Sequence, residues 1–273
     1  PNYPYSDSGE FAWAADGSTD CMEQFTLLGW LAAVTERVGL LTSVVVIPHR
    51  NPVFMAKSIA TTDQLSGGRV LLGVGAGWMR EEFEALNLPD FDARGRVTDE
   101  YIDVMKTLWG ERVASYDGEF IQFNKIAADP KPVQSPHPPI WVGGESMPAI
   151  RRTARLGDCW YPFGSNPKFR MDTVEAYVAR RDRLFAEMEK VGRDPSSVTL
   201  AYNTAFHSET AKQRDDGSRL SFTGTPEQRA EDILAFKDVG VSTLMVNVTS
   251  SDLSEMLERM EAFAEQVMPL VNR

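Results

Sequence analysis

A glycine-rich segment after a short apolar run offers a place where a flat ligand could approach the backbone. Residues 70–74 are almost wholly apolar, which is typical of a parallel strand covered on both faces. Residues 66–68 form a turn before it, and residues 75–77 follow it with almost no side chains. An ordinary tight turn between a strand and a helix explains these residues equally well. Their likeness to a dinucleotide-binding pattern is weak, because the later glycine and the acidic partner are missing.

A second loop of small residues, at positions 143–146, precedes a predicted helix. Such a loop presents backbone N–H groups and the positive end of the helix dipole, which suit a phosphate. Glu145 is unfavourable beside an anion unless its side chain points away. Arg151, Arg152 and Arg155 on the helix are candidates for contact with an acidic ligand, although each alone is more typical of a solvent-exposed helix face.

Few other side chains suggest chemistry. His49 and Arg50 follow a predicted strand and are candidates for substrate contact, although a histidine in such a proline-flanked loop is more often structural. Asn203 and Asn247, near the ends of the last two strands, are candidate polar groups of a pocket. The remaining histidines, His137 and His207, have no metal-ligand spacing and receive no role.

Composition excludes several classes of function. The chain has 273 residues, 42% of them hydrophobic, and a net charge of −11 with no basic cluster, which argues against nucleic-acid binding. No apolar run approaches the roughly 20 residues that cross a bilayer, and no secretory signal opens the sequence, so we expect a cytoplasmic protein without membrane contact. Cys21 and Cys159 are too few and too far apart to predict a disulfide framework or a metal site.

Strands and helices alternate along the chain and predict a parallel sheet in a single domain over residues 1–273, with a small hairpin at 113–123. The strands are predicted at residues 38–47, 70–74, 140–142, 158–163, 198–206 and 243–248. The helices are predicted at residues 21–37, 53–65, 96–109, 147–156, 171–191, 226–240 and 252–267. In the last helix we expect the apolar side chains to face inward: Leu253, Met256, Leu257, Met260 and Phe263.

Six β/α units indicate an α/β barrel more than an open sheet. A complete barrel of this kind has eight strands, so two are expected to be missing from the front. Residues 1–20 are rich in Pro, Tyr, Ser, Asp and Gly and are predicted to form a long loop, which fits that expectation.

Several segments resemble the luciferase-like monooxygenase superfamily, and more narrowly its oxidoreductases that use flavin or the deazaflavin coenzyme F420. Their order and spacing over nearly the whole chain carry the resemblance. They are residues 41–44, 50–52, 60–69, 73–78, 130–132, 138–144, 155–160 and 224–227. The resemblance implies a TIM-type (β/α)8 barrel with the cofactor across the C-terminal ends of the strands, and it makes the visible strands the third to the eighth.

The resemblance also implies site residues. Ser43 and Val44 match a position where relatives often have a non-prolyl cis peptide behind the cofactor ring, and Val46 would line the same wall; an ordinary strand is the alternative. Ala76 and Gly77 would lie against the cofactor. The cofactor phosphate would bind at the second small-residue loop, by Gly143, Gly144 and Ser146.

No catalytic residue is assigned, although His49 and Trp78 are candidates. Trp78 stands where some deazaflavin-dependent dehydrogenases have a catalytic glutamate, so it argues against the sugar-phosphate chemistry of those relatives. It would line the substrate pocket or simply pack. Many deazaflavin-dependent members have an acid–base histidine at the end of the second strand, which would lie upstream of Pro1.

The implied function is hydride transfer between F420 and a small organic substrate. An FMN-dependent monooxygenase is the alternative, and a non-catalytic flavin-binding or scaffold protein is the alternative from another class. An incomplete barrel leaves strand edges exposed, so we expect a homodimer under each of these hypotheses.

Overall fold

A curled parallel sheet with helices packed on its outer face forms the centre of the fold. The computed structural model describes residues 22–164, 166, 168–204, 208–248, 250 and 252–272. The strands are β1 Leu40–Leu41, β2 Val45–Val46, β3 Val70–Gly75, β4 Ala114–Asp117, β5 Gln122–Ile126, β6 Ile140–Gly143, β7 Cys159–Tyr161, β8 Thr199–Thr204 and β9 Val241–Val246. The helices are α1 Gln24–Val34, α2 Pro52–Ser66, α3 Arg80–Ala85, α4 Arg94–Gly110, α5 Met147–Leu156, α6 Val174–Lys190, α7 Pro226–Asp238, α8 Leu253–Ala262 and α9 Met268–Val271.

All neighbours in the main sheet are parallel. The order is β1, β3, β6, β7, β8, β9, and β2 pairs with β3 beyond β1, so β1 and β2 occupy one strand position. The six predicted β/α units are therefore confirmed. The hairpin is also confirmed, with strands β4 and β5. The chain folds as the curled α/β sheet of a TIM-type barrel.

The two faces of the sheet have different surroundings. Side chains such as Leu72, Val74 and Trp160 point outward and pack under the helices in the two largest hydrophobic clusters. Trp141, Cys159, Tyr161 and Ala201 share the inner face, where a smaller cluster forms. The C-terminal ends of the strands surround this inner cluster, and the candidate site lies there.

Helix ends follow the sequence signals. Asn51 caps α2 through its side chain, and Gly67 ends that helix in the left-handed conformation with φ +68°. Thr225 and Gln228 form a complete capping box at α7, as the sequence predicts.

The prediction of one continuous strand at 38–47 is wrong. Residues 42–44 interrupt the strand between β1 and β2, although the Thr42 N–H still donates to the Leu71 oxygen of β3 at 3.2 Å. A 3-10 turn over Ile47–His49 replaces the end of the predicted strand. The Ser43–Val44 peptide bond is cis, as the resemblance implies.

The inward orientation predicted for the last helix is also wrong. Leu253, Leu257 and Met260 are at least half exposed, and α8 contains no buried residue. The segment Phe263–Val267, a π-helical turn, and the following α9 make the contacts with α7 instead, and Val267 is fully buried. An apolar helical face is therefore present, but no described residue covers it.

Several predictions concern residues that the structure does not describe. They are the loop at 1–20, Cys21, the end of the strand predicted at 198–206, and His207. No described helix is long and apolar enough to cross a membrane. Among the residues that the structure describes, no cluster of His, Cys, Asp or Glu has the geometry to hold a metal ion.

Candidate active site

Residues 42–44 form a bulge above the inner face of the sheet, and each of its three residues is held by a hydrogen bond to another element. The Thr42 hydroxyl donates to the backbone oxygen of Gly73 at 2.8 Å. The Ser43 hydroxyl contacts the Tyr161 hydroxyl at 3.0 Å. The Gln24 amide at the start of α1 donates to the backbone oxygen of Val44 at 3.3 Å. The bulge is therefore fixed in place before any ligand binds.

The glycines of β3 make room for this bulge. A Cβ on Gly73 would lie 1.8 Å from the backbone oxygen of Thr42, and one on Gly75 would lie 2.8 Å from a methyl group of Val44. A Cβ on Gly143 of β6 would lie 3.1 Å from the other Val44 methyl group. Protein atoms thus fill the space beside Gly75, where the sequence suggests that a flat ligand could approach.

The same is true of Gly77. A Cβ there would lie 2.9 Å from Val46 and 2.9 Å from Phe83, and Gly77 has φ +82°. Arg94 donates to the backbone oxygen of Gly77 at 3.2 Å. This turn is therefore shaped by its protein neighbours, and only its remaining exposed side, with that of Ala76, is available to a ligand.

Three polar side chains from neighbouring elements meet above the inner cluster. The Asn203 amide nitrogen donates to the Tyr161 hydroxyl at 2.9 Å, and that hydroxyl contacts Ser43. Tyr161 is buried and packs edge to face on Trp141, with ring centroids 5.7 Å apart, whereas Ser43 is exposed. Burial raises the pKa of the Tyr161 phenol, while its hydrogen bonds with Ser43 and Asn203 lower it, and the net shift is upward. The phenol is therefore protonated at neutral pH.

The predicted phosphate loop follows β6 directly. Gly144 has φ +111°, and the Ser146 hydroxyl caps α5 by accepting from the N–H of Ala149 at 3.4 Å. Glu145 points into the protein and is only 3% exposed. Its carboxylate accepts from the N–H of Phe163 at 2.5 Å and from the Asn166 amide at 2.7 Å, so it joins this loop to the loop after β7. Burial raises the Glu145 pKa, which these hydrogen bonds only partly oppose.

The arginines of α5 are not free to meet an acidic ligand. Arg152 is buried and donates to Asp99, and Arg155 donates to the other oxygen of Asp99 at 3.0 Å. Arg151 pairs with Glu187 at 3.4 Å. All three fasten α5 to neighbouring helices.

The two candidate catalytic residues follow neighbouring strands, His49 after β2 and Trp78 after β3. His49 packs edge to face on Phe83, with centroids 5.3 Å apart, and Phe83 in turn lies against Gly77. Trp78 is 47% exposed in the loop between β3 and α3.

Sequence reasoning missed Tyr161 and the inward orientation of Glu145. Tyr161 ends a short run, Cys159–Tyr161, in which all three residues are buried, so no alternation of polar and apolar residues distinguishes the inner face from the outer face. Asn203, a candidate from the sequence, does lie at this site, where its amide donates to the Tyr161 hydroxyl.

Comparison with known proteins identifies the family. The family model described as luciferase-like monooxygenase matches residues 9–214. The chain belongs to this family. It is 28% identical to an FMNH2-dependent dimethylsulfone monooxygenase of Pseudomonas putida over 299 aligned residues. This alignment covers 94% of this chain and 81% of that protein.

A second protein is similar in sequence, and a solved structure is similar in fold. An uncharacterized protein of Mycobacterium tuberculosis is 38% identical over 154 residues, which are 56% of this chain and 54% of that one. The solved coenzyme F420-dependent tetrahydromethanopterin reductase of Methanopyrus kandleri superposes with a TM-score of 0.75 at 15% identity, covering 91% of this chain and 87% of that chain, and so supports the fold.

The protein is thus an oxidoreductase of a family whose members use flavin-type cofactors. The residues present fit such a group. Gly144, with φ +111°, turns the chain into the N-terminus of α5, where N–H groups and the helix dipole suit an anion. The Ser43 hydroxyl offers a polar contact above an apolar inner cluster, which suits a ring with polar edges.

Proposed function

We propose that this protein binds coenzyme F420 across the C-terminal ends of its strands and catalyses hydride transfer between the deazaflavin and a small organic substrate. The cofactor would supply the redox chemistry, and the protein would supply position and electrostatics. Ser43, Val44 and Val46 would form the wall behind the ring, and Ala76 and Gly77 would border it.

The phosphate would bind at the loop of Gly143, Gly144 and Ser146. The N–H groups at the start of α5 would contact it, apart from that of Ala149, which donates to the Ser146 hydroxyl, and Glu145 keeps the loop attached to Phe163. The Arg94 contact with the Gly77 oxygen would hold the opposite side of the ring pocket.

The choice of F420 rests on Glu145. F420 has a phosphodiester with one negative charge at the phosphate, whereas FMN has a phosphate monoester with nearly two. Although the Glu145 side chain points into the protein, its carboxylate stays next to the loop, and while ionised it repels a phosphate with two charges more than a phosphate with one, because burial weakens the screening by solvent. The loop therefore favours the singly charged phosphate.

An FMN-dependent monooxygenase is the second candidate, and the Pseudomonas putida relative, similar over nearly the whole chain, favours it. Such an enzyme would consume oxygen, whereas a deazaflavin enzyme would not. We also propose that the protein is a homodimer, and a monomer in light scattering at micromolar concentration would contradict this.

A fluorescence titration with F420 and with FMN tests the proposal. We expect wild type to bind F420 more tightly than FMN. The Glu145→Gln variant should bind FMN more tightly than wild type does, so the ratio of the Kd of FMN to the Kd of F420 should fall. Glu81→Gln, at an exposed position of α3, is the control and should leave the ratio unchanged. Tighter binding of FMN by wild type, together with oxygen consumption, would favour the monooxygenase.

A further inference from the structure

The Tyr161 hydroxyl differs from the hydroxyls of the other buried tyrosines near it. Tyr177 donates to the backbone oxygen of Ala201 at 3.2 Å, and Tyr202 donates to the backbone oxygen of Met171 at 2.6 Å. Both belong to the cluster on the outer face of the sheet, where such bonds hold elements together. Tyr161 lies on the inner face and contacts two side chains, Ser43 and Asn203.

The direction of these hydrogen bonds follows from the chemistry of the groups. An amide nitrogen only donates, so the Tyr161 oxygen accepts from Asn203. The single phenolic hydrogen is then available, and leaving it unpaired in a buried position would be unfavourable. Among the described residues, Ser43 is the other side chain in contact with the phenol, so we assign Tyr161 as the donor to the Ser43 oxygen at 3.0 Å. The Ser43 hydrogen cannot point at Tyr161 and turns outward.

We propose that Tyr161 and Asn203 are positioning residues that orient the Ser43 hydroxyl to donate a hydrogen bond to an acceptor atom on the ring of the bound cofactor. This inference rests on the proposed function, because it takes the F420 or FMN ring as the ligand at the bulge. Both rings have carbonyl groups at their edge, which accept such a bond.

The surroundings make this orientation rigid. Thr42 and Val44 on either side of Ser43 are each hydrogen-bonded to another element. The Tyr161 ring is buried against Trp141, so its hydroxyl is held at one position beside Ser43. A donor fixed in advance loses little entropy when the ligand binds, which increases affinity.

A double-mutant cycle on cofactor affinity tests the inference. Ser43→Ala removes the donor, and Tyr161→Phe removes the group that orients it. We expect each to raise the Kd of F420 about 3- to 10-fold, the range for loss of one hydrogen bond. The double variant should bind no more weakly than Ser43→Ala alone, because both changes remove the same interaction.

Control variants separate orientation from stability. Tyr202→Phe also removes a buried phenol hydrogen bond, but on the outer face, so its Kd for F420 should equal that of wild type. Ser43→Thr keeps the hydroxyl, so its Kd for F420 should be close to that of wild type. Asn203→Ala frees Tyr161 to accept from Ser43, so it should raise the Kd even if Tyr161→Phe does not fold.

The outcomes are distinct. Additive effects of Ser43→Ala and Tyr161→Phe, or an unchanged Kd in both Tyr161→Phe and Asn203→Ala, would overturn this inference while leaving the proposed function intact. Wild-type protein that binds neither F420 nor FMN would overturn both.

Discussion

The Cα atom of Gly73 packs directly against the backbone of Thr42, and a Cβ added to Gly73 would lie 1.8 Å from the Thr42 oxygen. This contact brings β3 and the bulge at residues 42–44 close enough for the Thr42 hydroxyl to donate to the Gly73 oxygen at 2.8 Å. The glycine is thus required by a neighbouring backbone rather than by its own conformation.

Gly73→Ala should therefore destabilise the protein strongly. The bulge cannot give way by rotating a side chain, because the atom in contact belongs to the backbone. We expect the free energy of unfolding to fall by about 3 kcal/mol or more, at the upper end of the range for overpacking. Urea denaturation followed by circular dichroism measures this change.

Gly29→Ala is the matched control. Gly29 lies inside α1, and a Cβ there would meet nothing within 4 Å. Alanine is favoured over glycine in a helix interior, so this variant should be more stable by up to ~1 kcal/mol. Equal stabilities of the Gly73→Ala variant and wild type would show that the bulge relaxes without cost.

The Gly73 contact also shows what the sequence could predict here. The apolar run at residues 70–74 correctly indicates a buried parallel strand, since such runs are typical of sheets covered on both faces. The run at residues 38–47 has the same character, yet residues 42–44 interrupt the strand. The interruption coincides with the contact between Thr42 and Gly73, which are 31 positions apart in the chain, and with the hydrogen bonds of Ser43 and Val44 to other elements. Local patterns do not contain these contacts.

Part of the candidate site could likewise be predicted from the sequence, and part of it could not. The loop of small residues before α5 follows from local signals and is confirmed, and the structure adds that Ser146 caps this helix. Tyr161 could not be selected, because its burial resembles that of Trp160 beside it, although the two side chains lie on opposite faces. For α8, the spacing of Leu253 and Leu257 predicts an apolar face correctly but does not specify what covers it.

Asp63→Asn should loosen the proline-rich segment before β6. The buried Asp63 carboxylate accepts from the N–H groups of Val133 and Gln134, at 2.8 and 3.0 Å, and from the Gln134 amide at 2.7 Å. In the asparagine variant, the side-chain NH2 group would face some of these N–H donors and could not accept from them, and the negative charge would be lost. We expect a loss of about 2 kcal/mol in the free energy of unfolding. Glu36→Gln, at an exposed position, should change it by less than about 0.5 kcal/mol.

Arg69→Lys should weaken the contact between α1 and the end of α2. The Arg69 guanidinium donates to the backbone oxygens of Ser66, Ala32, Thr35 and Val38, at 2.8 to 3.0 Å. An ammonium group cannot span both helix ends with this planar geometry. We expect a loss of about 2 kcal/mol, measured by thermal and urea unfolding. A lysine variant as stable as wild type would mean that water replaces these bonds without cost.

His49 should make stability depend on pH. Its pKa is lowered mainly by burial, and the charge of Arg50 adds to this. The Glu82 carboxylate lies 3.8 Å from Nε2, beyond hydrogen-bond distance, and among the described residues Nε2 has no hydrogen-bond partner. The folded protein therefore resists protonation of this ring, whereas the unfolded chain takes up the proton near pH 6.5.

Because the unfolded state binds more protons below about pH 6.5, the free energy of unfolding should fall as the pH drops from there toward the lowered pKa of folded His49. The slope for one proton cannot exceed ~1.4 kcal/mol per pH unit. Urea denaturation of wild type and of His49→Gln at pH 7.5, 6.5 and 5.5 measures it, and the stability difference between them should shift in favour of the glutamine variant as the pH falls. Parallel pH profiles for the two proteins would contradict the prediction, because they would show that His49 titrates alike in the folded and unfolded states.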